Sequence, residues 1–159
     1  MKKIIVIPAR LNSSRLPNKV LLDLGGKTVV QRVYEQCLKA KNIEAVYIAT
    51  DSLEVKQSCE KFTNTILMTK DTHESGTDRI AEAVENIECD AIINVQGDEP
   101  FIEPELIDKL ASTFDEDSTK MSSAMHKLSK VDELKSPNVV KVTVDNNSNA
   151  LYFSRSIIP

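Results

Sequence analysis

Three permanent cations, Arg10, Arg15 and Lys19, stand five and four residues apart in the first polar stretch of the chain, Ala9-Arg10-Leu11-Asn12-Ser13-Ser14-Arg15-Leu16-Pro17-Asn18-Lys19. Two planar guanidinium forks and one compact ammonium suit an anion that carries several charges. Ser13, Ser14 and the backbone N–H groups of the loop add neutral donors. At this level a solvated surface loop explains the same residues equally well. The stretch contains no G-x-x-x-x-G-K-[ST], and no G-x-G-x-x-G follows the apolar run before it. A polyphosphate held here is therefore held mainly by side-chain charge.

Two further segments carry chemistry. In Gln96-Gly97-Asp98-Glu99-Pro100 two carboxylates follow a glycine whose missing Cβ lets a ligand or metal approach. A carboxylate opposite three cations around a polyphosphate is the arrangement Mg²⁺ uses, because hard oxygens bind it while it also holds phosphate. The competing reading is an ordinary turn before a helix. In His73-Glu74-Ser75-Gly76-Thr77-Asp78-Arg79 the glycine admits a flat base, Ser75 and Thr77 supply hydroxyls, and a helix start supplies free N–H groups. A plain cap by Thr77, with Gly76 in the turn, is compatible with that role. His73 lacks a partner at metal-ligand spacing and reads as a surface histidine; His126 receives no role, and no Ser/His/Asp or Cys/His nucleophile set emerges.

Composition narrows the function classes. The 159 residues are 41% hydrophobic and 28% charged, enough for a folded core, with a net charge of −4. No lysine-rich tail is present, so a nucleic-acid or anionic-membrane surface is disfavoured. Aromatics make up 4% and tryptophan is absent, which argues against base-stacking platforms. Cys37, Cys59 and Cys89 lie far apart and form no C-x-x-C pair, so neither a zinc site nor a disulfide framework is indicated and a reducing compartment fits. The first apolar run stops at Pro8, too short for a signal peptide, and no stretch approaches a membrane span.

The elements that must position these loops follow from hydrophobic periodicity. Ile4–Ile7 is apolar on both alternating faces and predicts a buried parallel strand. A helix is predicted over Thr28–Lys41, a strand over Glu44–Thr50, and a capping box at Asp51–Glu54 opening a helix with Val55, Cys59 and Phe62 inward. A short strand at Thr65–Met68 precedes the loop Thr69–Gly76. A helix opening at Thr77 is expected to bury Ile80, Val84 and Ile87. Ala91–Val95 predicts a strand apolar on both faces, and Pro104 starts a helix with Leu106, Ile107 and Leu110 inward. Met121–Leu128 is expected as a strand. Val139–Val144 is expected as an antiparallel strand that buries Val140, Val142 and Val144, and Ala150–Phe153 returns after a turn. Alternating strands and helices imply a doubly wound α/β domain with a mixed, mainly parallel sheet. The three loops then fall at strand carboxyl ends, where such sheets bind ligands.

Taken together, Ile7-Pro8-Ala9-Arg10, Ser14-Arg15-Leu16-Pro17 with Lys19, Ala49-Thr50-Asp51, Ser75-Gly76-Thr77-Asp78-Arg79, Asn94-Val95-Gln96-Gly97-Asp98-Glu99-Pro100 and Ala150-Leu151-Tyr152-Phe153-Ser154-Arg155 closely resemble the 3-deoxy-manno-octulosonate cytidylyltransferase (CMP-Kdo synthetase) family, over Lys3 to Pro159. The resemblance implies a nucleotide-diphosphosugar transferase-like, Rossmann-like three-layer sandwich. It implies a cytoplasmic homodimer that joins CTP and Kdo, with Mg²⁺, to give CMP-Kdo and pyrophosphate for lipopolysaccharide assembly. By the same resemblance Arg10, Arg15, Lys19 and Asp98 are the catalytic set. Pro8 and Ala9 lie near the nucleotide through their backbone, Ser75 and Gly76 lie near the cytosine, Asp98 binds Mg²⁺, and Arg79, Gln96 and Arg155 face the sugar acid. Family chains continue further and carry a second metal aspartate there. Residues 1–159 are thus expected as one nucleotidyltransferase domain with a triphosphate site but without the complete reaction centre. The alternatives are CMP transfer to a sialic-type or amino-Kdo acid, and a non-catalytic CTP-binding module.

Overall fold

The computed structural model describes residues 1–11, 16–116 and 118–158. They gather into two compact units, Met1–Ser122 and Ser123–Pro159.

The first unit is built on β1 (Lys3–Pro8), every residue of which is buried. Ile4, Ile5, Val6 and Ile7 are fully enclosed, and each such side chain contributes roughly 1.5–3 kcal/mol over its exposed state. β2 (Ala45–Thr50), β3 (Ile66–Met68) and β4 (Ala91–Asn94) join it in one parallel sheet of order β3-β2-β1-β4. The register places Pro8 opposite Ala49 and Val6 opposite Asn94. Between the strands run α1 (Val29–Cys37), α2 (Leu53–Cys59) and α3 (Gly76–Ala83), and α4 (Pro104–Ser112) follows β4. Ile5, Ile7, Val46, Ile48 and Ile93 point to the face covered by α1, α2 and α4. Ile4 and Val6 point to the face covered by α3 through Ile80 and Ala83. The chain crosses the sheet one way through α1 and α2 and returns the other way through α3, so covering helices fall on both faces. The result is the three-layer, Rossmann-like α/β sandwich expected from the pattern.

Several local expectations change in the structure. The predicted Thr28–Lys41 helix stops at Cys37: the N–H groups of Lys39 and Ala40 tighten to carbonyls three residues back, and those of Lys41 and Asn42 donate to Asp108 of α4 (2.8 and 3.3 Å). The cap of α2 is Ser52, which accepts from Val55 N–H, and not Asp51; the cap of α3 is Ser75, which accepts from Asp78 N–H, and not Thr77. β4 is covered on one face only: Ala91, Ile93 and Val95 are buried, while Ile92 and Asn94 are open, because the cluster around Ile80 of α3 packs on β1 and β2 and does not reach β4.

In the second unit, α5 (Val131–Lys135) precedes β5 (Lys141–Val144), which pairs antiparallel with β6 (Ala150–Ser154). Parallel and antiparallel pairing are thus both present, in separate sheets. Met121–Leu128, expected as a strand, is irregular among the described residues and largely exposed. The valine face of β5 is not its buried face. Val140 and Val144 are exposed, and Lys141 is enclosed instead. Its ammonium donates to the carbonyls of Ser136, Val139 and Arg155, so backbone oxygens compensate the burial of the charge.

Candidate active site

Strand order reverses between β1 and β4, and in open α/β sheets that reversal marks the ligand crevice. Ala9–Leu11 extend from the end of β1, and Val95–Pro100 extend from the end of β4. Ala9 N–H donates to Ala49 O at 2.8 Å, and Val95 N–H to Val6 O at 3.3 Å, so both loops leave the sheet in fixed directions.

Pro8 is the contact point of three segments. A Cβ on Gly97 would stand 2.8 Å from the Pro8 carbonyl oxygen, and one on Gly76 would stand 3.2 Å from Pro8 Cγ and 3.8 Å from Gln96 Oε1. The space at Gly97 that the sequence suggests for a ligand is filled by the backbone of β1. Glycine there lets the acidic loop lie against the first strand. Residues far apart in the chain, Pro8, Gly76, Gln96 and Gly97, therefore meet.

Lys19 is held by a 3-10 turn, Lys19–Leu21, anchored by buried Val20. The turn is entered through Asn18 in the left-handed conformation (φ 57°), which asparagine tolerates, and Asn18 N–H donates to Leu11 O at 3.1 Å. Lys19 Nζ lies 2.7 Å from Asp98 Oδ2, with the side chains 39% and 44% exposed. A pair this open to water contributes up to about 1 kcal/mol, so both partners separate cheaply to meet phosphate or metal. Glu99 follows; partial burial of its carboxyl and the adjacent Asp98 charge hold it above the usual carboxylate range, against a smaller opposing pull from Lys19. Arg10 is exposed and reaches the carbonyl of Glu74 by one long contact, 3.5 Å, among the described residues. Arg15, Ser13 and Ser14 lie outside the described residues.

Mg²⁺ takes one or two carboxylates and fills its octahedron with phosphate oxygens and water. Among the described residues no group of three or more His, Cys, Asp or Glu converges as an all-protein cage. Exposed Asp98, beside the ammonium of Lys19, fits the first kind of site.

The remaining expected residues divide. Ser75 caps α3, and its hydroxyl also donates to Asp78 Oδ2 at 2.6 Å. Gln96 is exposed and donates to Asn94 Oδ1 at 2.9 Å. Arg79 is 2% exposed, with Nη2 lying 3.0 Å from Asp51 Oδ2 and Nη1 donating to Thr69 Oγ1 and to Lys70 O. It ties the carboxyl ends of β2 and β3 to α3. Arg155 belongs to the second unit, where Nη1 donates to Pro137 O at 3.1 Å. Sequence reasoning gave Asp51 only a helix cap and missed its pairing with Arg79. The available signal was a carboxylate one residue past a parallel strand, facing an arginine in a helix's first turns.

A parallel α/β sheet with cations and a carboxylate at its topological switch is the arrangement in which open sheets of this kind bind ligands. The family model described as cytidylyltransferase matches residues 4–159, and the chain belongs to the cytidylyltransferase family. It is 48% identical over 159 residues to the 3-deoxy-manno-octulosonate cytidylyltransferase of Francisella tularensis subsp. novicida, covering 98% of this chain and 63% of that protein. It is 47% identical to the protein of the same name from Neisseria meningitidis serogroup C, covering 98% and 62%. Among solved structures, CMP:2-keto-3-deoxy-manno-octonic acid synthetase complexed with CTP superimposes with a TM-score of 0.89 at 41% identity, covering 100% of this chain and 66% of that one. The chain thus spans less than two thirds of the length of these relatives.

Proposed function

We propose that this chain carries the nucleotide-handling part of a cytidylyltransferase that joins CTP and Kdo to give CMP-Kdo and pyrophosphate, the sugar donor for lipopolysaccharide assembly. One observation carries the reading. The Lys19–Asp98 pair stands at the switch point of the sheet, beside a junction where Pro8 meets both Gly76 and Gly97. The relatives' names and the CTP complex point to the same substrates.

In the reaction the anomeric hydroxyl oxygen of the sugar acid attacks the α-phosphorus of CTP in line. The new C–O–P link forms as the bond to the β-phosphate oxygen breaks, the hydroxyl proton passes to solvent, and pyrophosphate leaves. Placement and charge neutralisation supply most of the acceleration in such transfers. Arg10, Arg15 and Lys19 bind the triphosphate and stabilise the charge that builds on the leaving group. Ser75 and Gly76 lie beside the cytosine, with Pro8 and Ala9 forming the floor under the nucleotide. Gln96 is a polar contact for the sugar acid, and buried Arg79 braces the ends of β2 and β3 against α3. Mg²⁺, held by Asp98, supplies Lewis-acid charge at the phosphates when bound. By family resemblance the protein works in the cytoplasm as a homodimer.

The test is pyrophosphate release by the full-length protein with CTP and a panel of sugar acids, including Kdo, an amino-Kdo and a sialic acid. The expected result is turnover with Kdo and CTP that requires Mg²⁺ and collapses in Asp98→Asn, which keeps the shape but not the anionic oxygen. Turnover confined to another acid reassigns the acceptor. CTP binding without turnover on any acid overturns the catalytic reading.

A further inference from the structure

The loop between β3 and α3 delivers Ser75 and Gly76 to the crevice. Among the described residues, 70–74 make no backbone–backbone hydrogen bonds. Side chains hold this stretch in shape instead, and most of them come from α3. Glu82 Oε2 accepts from Lys70 N–H at 3.0 Å and also meets His73 Nε2. One turn earlier on the same helix, Arg79 donates to Lys70 O. Among the described residues the other hold is Arg10 on the carbonyl of Glu74.

His73, expected as a surface histidine, is mostly enclosed, at 18% side-chain exposure against 26% for Glu82. A carboxylate can only accept, so Nε2 of His73 is the protonated nitrogen. The two donated hydrogen bonds, from His73 first and Lys70 second, hold the Glu82 carboxyl below the usual range, as expected of an anion that both ends of the loop require.

We propose that His73 and Glu82 form a positioning clamp that sets the 69–75 loop, and through it the Glu74 carbonyl, Ser75 and Gly76, for binding of the cytidine nucleotide. This rests on the cytidylyltransferase reading above. Neither residue touches substrate. Their effect passes through the loop, so it falls on the nucleotide and spares the sugar acid.

The test uses the full-length protein, with CTP titrated calorimetrically into wild type, His73→Ala, Glu82→Ala, Glu82→Gln and the double alanine variant. Each single alanine variant should bind CTP about five- to ten-fold more weakly, the size of one hydrogen bond of ordinary net strength. The double variant should lose little more than Glu82→Ala alone, because the His73–Glu82 contact is already gone there. Glu82→Gln keeps an acceptor for Lys70 and His73 and should stay within about two-fold of wild type. The KM for the sugar acid should not change, a selectivity that general destabilisation does not produce. Wild-type CTP affinity in both single variants, or multiplicative losses in the double variant, overturns the clamp. If an alanine variant does not fold, Glu82→Gln decides: a loss as large as that of an alanine variant overturns it. A wild-type protein with no CTP affinity overturns the functional reading and the clamp's role with it.

Discussion

Asp98 and Glu99 are neighbours in the acidic loop, yet their surroundings differ. Asp98 has Lys19 at 2.7 Å, whereas Glu99 has partial burial and the charge of Asp98. A carboxyl whose native pKa is raised binds more protons folded than unfolded. Stability therefore falls as pH climbs from the ordinary value near 4.5 through the native one. Glu99→Gln should melt above wild type at pH 7, by under about 1 kcal/mol because solvent reaches the side chain, and lose that advantage near pH 4. Thermal melts at both pH values check this, and a variant less stable at pH 7 would show that the carboxylate makes a favourable contact. The cysteines offer a second residue-level test. Burial pushes the thiols of Cys37 and Cys59 up to about 12, so at pH 8 only about one in ten thousand is thiolate. A thiol reagent at that pH should modify Cys89, which is only partly covered, and reach the other two after denaturation. Mass spectrometry of the labelled native protein locates the adducts.

Among the elements, the end of β1 is the least forgiving place in the site. A Cβ on Gly97 meets a backbone oxygen at 2.8 Å, and neither strand can retreat without breaking ladder bonds. A Cβ on Gly76 meets the Pro8 ring at 3.2 Å, and that ring can give by a few tenths of an ångström. Gly97→Ala should therefore cost about 1–3 kcal/mol, in the range of overpacked cores, and Gly76→Ala clearly less. Urea unfolding of the two variants ranks them, and the reverse order would mean that the acidic loop moves more easily than β1. Helix starts show the same dependence on neighbours. Ser52 caps α2 because Asp51, the better cap by sequence pattern, is taken by Arg79. Removing one partner of such an enclosed pair leaves the other charge uncompensated, which is why Arg79 reads as a tie between elements.

At the scale of the molecule, a chain with a net charge of −4 gathers cations at one sheet edge, because the switch point brings the β1 loop beside the β4 loop. The division into two units at Ser122 and Ser123 gives a further expectation. Residues 118–130 hold no regular element beyond a turn, and Lys120, Lys127 and Lys130 are exposed. Brief trypsin treatment should cut there first, leaving a fragment that begins at residue 1 and ends near residue 120. Intact-mass analysis of the early products checks it; first cuts at Lys56 or Arg32, inside helices, would contradict the two-unit organisation.

Strand and helix types in the first unit were legible in the sequence, because a buried parallel strand and an amphipathic helix differ in hydrophobic period and tertiary context does not alter that period. The candidate loops were legible too, since doubly wound sheets place them at strand carboxyl ends and the motif order matched one family. Tertiary structure alone decided what depends on partners distant in the chain. The glycine at 97 admits the carbonyl of Pro8, the arginine at 79 binds Asp51, and Asp108 takes the N–H groups of Lys41 and Asn42 just past α1. In β5 the alternation was visible but its direction was not. A period of two says that one face is buried, and only packing says which; three carbonyls around one ammonium made it the face of Lys141 rather than that of the valines.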